Sequence, residues 1–333
     1  MKVAYLGAGA WGFCLARLLA AKGFEVVSWS IDENLVALLN STKTHPNLKN
    51  YPITGTITFT TDLEQALSNA DMIVESVTAS GIRPVFQQLK TCGIKSHTPI
   101  VFTSKGIEQN SGLILSDVAI QILGEEFRSS LGSLSGPSFA DEVCRNLPTA
   151  VVCAGYSQDT VGLIVDAFTT NFFRVYPSQD IRGVSFGGSL KNIIAIACGI
   201  SDGLGLGTGA KAALMTRGLH EIVKLARAQN CRPETLYGLS GMGDLFLTCS
   251  STLSRNFRFG NLLSQNISPD TAKKEIGMVV EGAYSAIAAL QISKQANIPM
   301  PITEQVVAIL EGKIKPRDAV SELMQRSIKE EYL

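Results

Sequence analysis

Lys191 is the residue whose setting most needs a chemical explanation. It follows Gly187-Gly188-Ser189-Leu190 and precedes Asn192 and the apolar stretch 193–196, a pattern that places it near the start of a helix. The positive end of a helix dipole disfavours an ammonium there. That misfit points to chemistry rather than to a solvated charge. A second ammonium and partial burial would both lower its pKa towards the range useful for acid–base work. Lys105 is the candidate second cation. It follows the strand-like run 99–104, which puts it at the carboxyl edge of a sheet, where open α/β folds bind ligands.

Other polar groups fall where they could complete such a site. Ser135-Gly136-Pro137-Ser138-Phe139-Ala140 follows another strand-like run and makes a stiff turn with backbone donors and a hydroxyl. Asp244 closes the glycine-rich stretch 238–244, which reads as a loop, and could orient a lysine. In Ser254-Arg255-Asn256, Arg255 reads equally as a surface ion pair or as a two-donor clamp on a phosphate. Glu281, after Met278-Val279-Val280, is either a cofactor contact or a helix cap.

Gly7, Gly9 and Gly12 satisfy GxGxxG between a strand and a helix, the context that gives the pattern its meaning. The first glycine permits the turn, the second admits a pyrophosphate, and the third lets helix and strand pack closely. The helix that follows turns its positive end to the phosphates. Trp11 is either a flat wall against the cofactor or a core aromatic. After the second strand come Ile31 and Asp32. An acid there can accept from a ribose 2′-hydroxyl and repels a 2′-phosphate, so the reading leans to NAD over NADP.

The elements that must position these groups fall into two textures. Strand-like runs at 2–6, 25–31, 70–77, 99–104, 130–135, 149–154 and 172–176 alternate with helical ones. This predicts an α/β fold with a doubly wound, mostly parallel Rossmann-type sheet over residues 1–183. Residues 184–333 read as an all-helical substrate and catalytic domain. In its segment 210–229, Met215, Leu219, Ile222, Val223 and Ala226 share one face, with Lys211, Glu221, Lys224 and Arg227 elsewhere. The default ligand site is the cleft between the two domains.

Composition narrows the class. Lysine plus arginine equal aspartate plus glutamate at 29 each, and no strong cluster of either sign occurs, so nothing marks a nucleic-acid or membrane-surface binder. Seven cysteines, odd in number and without a CxxC pair, read as reduced thiols in a cytoplasmic protein. Three histidines without an HxxxH spacing leave no zinc pattern, so no metal is expected. No run is expected to reach the roughly 20 apolar residues of a membrane span.

Taken together, GAGAWG, SKGIE, SGPSFA, GGSLKNIIAIACGISDGLGLG, KAALMTRGL, GLSGMGDLFLTC, SRNFRFG and VVEG resemble the NAD(P)-dependent glycerol-3-phosphate dehydrogenases, in family order and essentially end to end. The resemblance implies reversible reduction of dihydroxyacetone phosphate to sn-glycerol 3-phosphate, the backbone precursor of glycerophospholipids. It implies that Lys191 transfers the proton and that Lys105 touches both cofactor and substrate. Gly136, Ser138, Asp244, Ser254, Arg255 and Asn256 match substrate positions. Ala10, Trp11, Ala140, Arg255, Val279 and Glu281 match cofactor positions, and Asn192 with Asp244 is expected to hold the geometry of Lys191. Ile31, Thr78, Ser185 and Thr208-Gly209 depart from the family pattern. The rival functions are a β-hydroxyacid dehydrogenase of the same plan and a non-catalytic NAD(H)-binding sensor. The reading is compatible with a homodimer.

Overall fold

The computed structural model describes residues 1–109, 111–328 and 330–331. Its sheet contains β1 (Lys2–Leu6), β2 (Glu25–Trp29), β3 (Ile57–Thr60), β4 (Met72–Glu75), β5 (Ile100–Phe102), β6 (Leu131–Ser135), β7 (Thr149–Gly155) and β8 (Phe173–Ser178). The strand order is β3-β2-β1-β4-β5-β6-β7-β8, and among these pairs only β6–β7 runs antiparallel. Chain order reverses between β1 and β4, which opens a crevice at their carboxyl ends. β3 has no counterpart among the sequence-predicted strands. Its four residues, ITFT, offer too short an alternation to read without the β2 edge that pairs with them.

Helices α1 (Ala10–Ala21), α2 (Glu33–Thr42), α3 (Leu63–Leu67), α4 (Ile82–Thr91), α5 (Leu115–Leu123), α6 (Ala140–Cys144) and α7 (Gln158–Phe168) alternate with the strands. Two apolar clusters fill the two faces of the sheet. A third core belongs to the later helices: α8 (Ile181–Gly203), α9 (Gly207–Ala228), α10 (Pro233–Leu236), α11 (Asp244–Ser250), α12 (Arg255–Ser264), α13 (Pro269–Ile276), α14 (Glu281–Gln295), α15 (Pro301–Leu310) and α16 (Pro316–Met324). The passage from one core to the other occurs inside α8. Ile181 and Val184 pack with the sheet, while Phe186 and the residues beyond it join the helical core.

Three expectations change at α8 and its neighbours. The helix starts at Ile181, capped by Asp180, whose carboxylate accepts from Gly183 N at 2.9 Å. Lys191 therefore lies mid-helix, and the dipole argument for it does not apply. The same helix is long and apolar enough to span a membrane, contrary to the sequence reading, with a mean hydropathy of 1.4 over its best window. That window is 89% buried inside the protein, as suits a helix ringed by other helices. The third change concerns Glu221, placed on the polar side of α9 and found 4% exposed. Its carboxylate accepts from Ile302 N, Thr303 N and Thr303 Oγ1, so it caps the start of α15. Burial nevertheless pushes this acid up to about 7.

Glycines let α8 sit so close to its neighbours. A Cβ at Gly199 would lie 2.0 Å from Phe257 O, and one at Gly260 of α12 would lie 2.1 Å from Ile196 O. Backbone meets backbone there, and any side chain would force the helices apart.

Candidate active site

The glycine pair before Lys191 brings the site together. A Cβ at Gly187 would meet Ser240 O at 2.9 Å, and one at Gly188 would meet Ser135 Oγ at 2.7 Å and the Lys105 stem at 3.5 Å. Hydrogen at both positions admits two segments to one flank of α8, the segment leading to Asp244 and the end of the sheet that carries Lys105. The stretch expected as a glycine-rich loop is instead a π-helical turn, Leu239–Gly243, running directly into α11. Glycines permit the wide turn, and insertions of this kind recur at functional sites.

Asp244 is 1% exposed and accepts from both lysines. Lys191 Nζ donates to one carboxylate oxygen and Lys105 Nζ to the other, the second at 2.6 Å. Lys105 also donates to Gly136 O at 3.2 Å, which ties the turn after β6 to the pair. Burial lowers the Lys191 pKa to about 8, with Asp244 opposing the shift and Lys105 adding to it. The ammonium is thus poised near neutral pH by desolvation and a neighbouring cation.

Thr248, which sequence reasoning missed, accepts from Lys191 at 2.7 Å. It stands four residues after Asp244, a relationship visible only once 244–250 is known to be helical. Asn192, expected to help hold Lys191, is buried beside it, but among the described residues Thr248 makes that bond. Glu75 was also missed. This acid within an apolar strand is fully buried, accepts from Ser104 Oγ and Val77 N, and is pushed up to about 8 by burial.

The remaining predicted site residues lie in the turn after β6 and at the starts of α12 and α14, several with structural bonds of their own. Ser138 donates to Gly136 O at 3.1 Å. Ser254 caps α12 by accepting from Phe257 N, and Asn256 Oδ1 accepts from Gly282 N at 2.9 Å, which joins α12 to the start of α14. Arg255 donates to Val279 O at 3.1 Å. Burial lowers its pKa, and the facing Glu281 opposes the shift. Glu281 in turn accepts from Ala79 N at 3.4 Å, linking α14 to the loop after β4.

The crevice beside β1 suits a dinucleotide. A Cβ at Gly7, whose φ is +107°, would lie 2.7 Å from Ser76 O, and one at Gly12 would lie 2.0 Å from Gly7 O. At Gly9 a Cβ would meet nothing within 4 Å, so open space lies where a pyrophosphate would approach. Among the described residues no side chain caps the start of α1, and uncapped amides at a helix start suit an anion. Trp11 packs on the sheet-face core, and its Nε1 is buried with no partner among the described residues. Beyond β2, Asp32 caps α2 through Leu35 N at 3.0 Å, and Ile31 is 80% exposed. Ala140 opens α6, and its carbonyl accepts from Cys14.

A Rossmann-type crevice faced by a buried lysine–aspartate–lysine cluster defines a dinucleotide-dependent oxidoreductase. Residues 2–161 match the family described as NAD-dependent glycerol-3-phosphate dehydrogenase N-terminus, and residues 180–321 match its C-terminus. The chain belongs to the NAD-dependent glycerol-3-phosphate dehydrogenase family. It is 59% identical over 332 residues to the glycerol-3-phosphate dehydrogenase [NAD(P)+] of Protochlamydia amoebophila, covering 100% of this chain and 99% of that one. The protein of the same name from Chlamydia caviae is 52% identical over the same shares. The crystal structure of glycerol-3-phosphate dehydrogenase from Coxiella burnetii superposes with a TM-score of 0.93 at 38% identity, covering 98% of this chain and 99% of that one.

Proposed function

We propose that this enzyme reversibly reduces dihydroxyacetone phosphate to sn-glycerol 3-phosphate with NAD(P)H, supplying the backbone of glycerophospholipids. The observation that carries the reading is the carboxylate of Asp244 shared between Lys191 and Lys105 at the crevice. Residues 1–183 form the cofactor part and residues 184–333 the substrate and catalytic part. Gly7, Gly9, Ala10, Trp11, Gly12, Ile31, Asp32, Ala140, Val279 and Glu281, together with Lys105 and Arg255, would hold the dinucleotide, which when bound supplies the hydride.

Lys191 gives a proton to the C2 oxygen as negative charge develops there. Asp244 and Thr248 hold its ammonium in place, and Lys105 adds positive potential beside the same oxygen. Gly136, Ser138, Ser254 and Asn256 border the substrate. Arg255 grips the phosphate, so that the carbonyl is held in one orientation. The enzyme works in the cytoplasm, and a homodimer is the proposed assembly.

The test is purified protein with dihydroxyacetone phosphate, following NADH and NADPH oxidation in parallel. Turnover on the ketone phosphate and none on β-hydroxyacids supports the reading. Turnover confined to hydroxyacids would assign the chain to the rival dehydrogenase, and cofactor binding without any turnover would make it a sensor.

A further inference from the structure

Glu75 is a buried acid to which the chemistry above gives no task. It is the last residue of β4, in register between Leu6 of β1 and Phe102 of β5. Those neighbours are apolar, as are Met72, Ile73 and Val74 before it. A carboxyl at 0% exposure in such a strand carries a desolvation cost that an aliphatic side chain would not. Strand stability is therefore a poor reason for an acid here.

Its bonds run to the two parts of the site that β4 separates. Oε1 accepts from Val77 N at 2.5 Å, and Ser104 Oγ lies 2.8 Å from Oε1 and 2.6 Å from Oε2. The Ser76–Val77 peptide is the one that a Cβ at Gly7 would strike, 2.7 Å from Ser76 O and 3.1 Å from Val77 N. The carboxyl thus backs the glycine turn on one side. On the other side Ser104 leads directly into Lys105, whose ammonium is held at its far end by Asp244 and Gly136 O.

Two further features lock the same place. Thr103 Oγ1 donates to Glu75 O at 2.8 Å, and Ser76 Oγ joins Thr103 Oγ1 to the Tyr5 hydroxyl, so a hydroxyl chain crosses β1, β4 and β5. The loops after β4 and β5 also pack without spare room, since a Cβ at Gly106 would lie 2.5 Å from Ala79 Cβ and 3.5 Å from Glu281 Oε2. Burial pushes Glu75 up to about 8 against the bonds from Ser104 and Val77, with Glu281 adding to the shift. At neutral pH it is a neutral carboxyl, whose Oε1 still accepts from both donors as a glutamine oxygen would.

We propose that Glu75 is a positioning residue, clamping the Ser76–Val77 peptide at the glycine turn to the Ser104-Lys105 segment so that dinucleotide and ammonium are held in one register. Its effect on rate rests on the dihydroxyacetone phosphate reading above, and its effect on cofactor affinity on the crevice alone.

The test is ketone reduction and NADH fluorescence titration on the full chain, with folding followed by thermal melting. Glu75→Leu removes both bonds at similar volume. It should lower kcat by about ten- to a hundredfold, the cost of a misplaced catalytic group. It should weaken NADH by about three- to tenfold, the weight of one hydrogen bond. Glu75→Gln should recover most of both losses. In a Lys105→Ala background Glu75→Leu should change kcat by less than about twofold, because the group it positions is gone, while the NADH loss persists. Ser104→Ala keeps the Val77 bond and should reproduce the loss in kcat alone, which serves if Glu75→Leu does not fold. Equal losses of kcat with and without Lys105 would make Glu75 a packing residue. Glu75→Gln as damaged as Glu75→Leu, wild-type kcat in Glu75→Leu or Ser104→Ala, or unchanged NADH affinity in Glu75→Leu would each overturn the proposal. Wild-type protein that binds NADH without reducing the ketone would remove the substrate reading, and the NADH comparison would still decide for or against Glu75.

Discussion

Asp244 and Thr248 stand one turn apart on α11 and hold the same ammonium. Lys191 donates to a carboxylate oxygen of Asp244 and to Thr248 Oγ1. Thr248 spends its own proton on the Asp244 carbonyl at 2.6 Å. Its oxygen is therefore left to accept from Lys191, and that bond favours the charged lysine against the burial that opposes it.

Thr248→Val should consequently shift the basic limb of the ketone-reduction profile to lower pH. The expected cost is about tenfold in kcat/KM, near the value of one hydrogen bond to a charged group. A variant with an unchanged pH profile would show that Thr248 serves only packing.

With Lys191 near pKa 8, ketone reduction should fall as pH rises through about 8, because the proton donor is then lost. Lys191→Ala should lower kcat by about a hundredfold or more and leave NADH affinity nearly unchanged. A near wild-type rate in Lys191→Ala would remove the lysine from the chemistry.

Arg255→Ala should raise the KM for dihydroxyacetone phosphate by about ten- to a hundredfold, the weight of a charge-assisted hydrogen bond. An unchanged KM would sink the phosphate-anchor assignment.

Ile31 is 80% exposed, so Ile31→Arg should be tolerated structurally. A guanidinium there meets a 2′-phosphate, and the NADPH to NADH ratio of kcat/KM should rise. If the ratio does not move, cofactor choice is made elsewhere.

Glu221→Ala leaves the Ile302 and Thr303 amides without their acceptor and should cost about 1–3 kcal/mol in urea unfolding. The folded carboxyl, at about 7, holds its proton more tightly than the unfolded one near 4.5. Wild-type stability should therefore fall, relative to Glu221→Gln, as pH climbs through that interval. A pH-independent difference would mean that Glu221 titrates normally.

Much of the fold was legible in the residues, because its signals are local. Apolar runs, the glycine turn after β1 and the strand–helix alternation each act within a few positions. β3 was not legible, since four residues become a strand only beside β2. Of the two grounds on which Lys191 was singled out, the lowering of its pKa by burial and by Lys105 holds and the helix-start argument fails. Its supposed place at a helix start gave way to a mid-helix site where burial, Asp244 and Lys105 set its pKa. Thr248 went unseen because the π-helical turn before it reads as a loop.

By itself the sequence determined which groups are available: the cradle glycines, the two lysines, the aspartate, the arginine and the apolar stretches that build each element. Only the tertiary structure decided how they meet. Gly187 and Gly188 matter because Ser240 and Ser135 approach them from distant parts of the chain. Asp244 becomes a bridge only when β5 and α8 lead Lys105 and Lys191 to its two oxygens. Periodicity and caps are short-range. Desolvation and ion pairing depend on what the rest of the chain brings within a few ångströms.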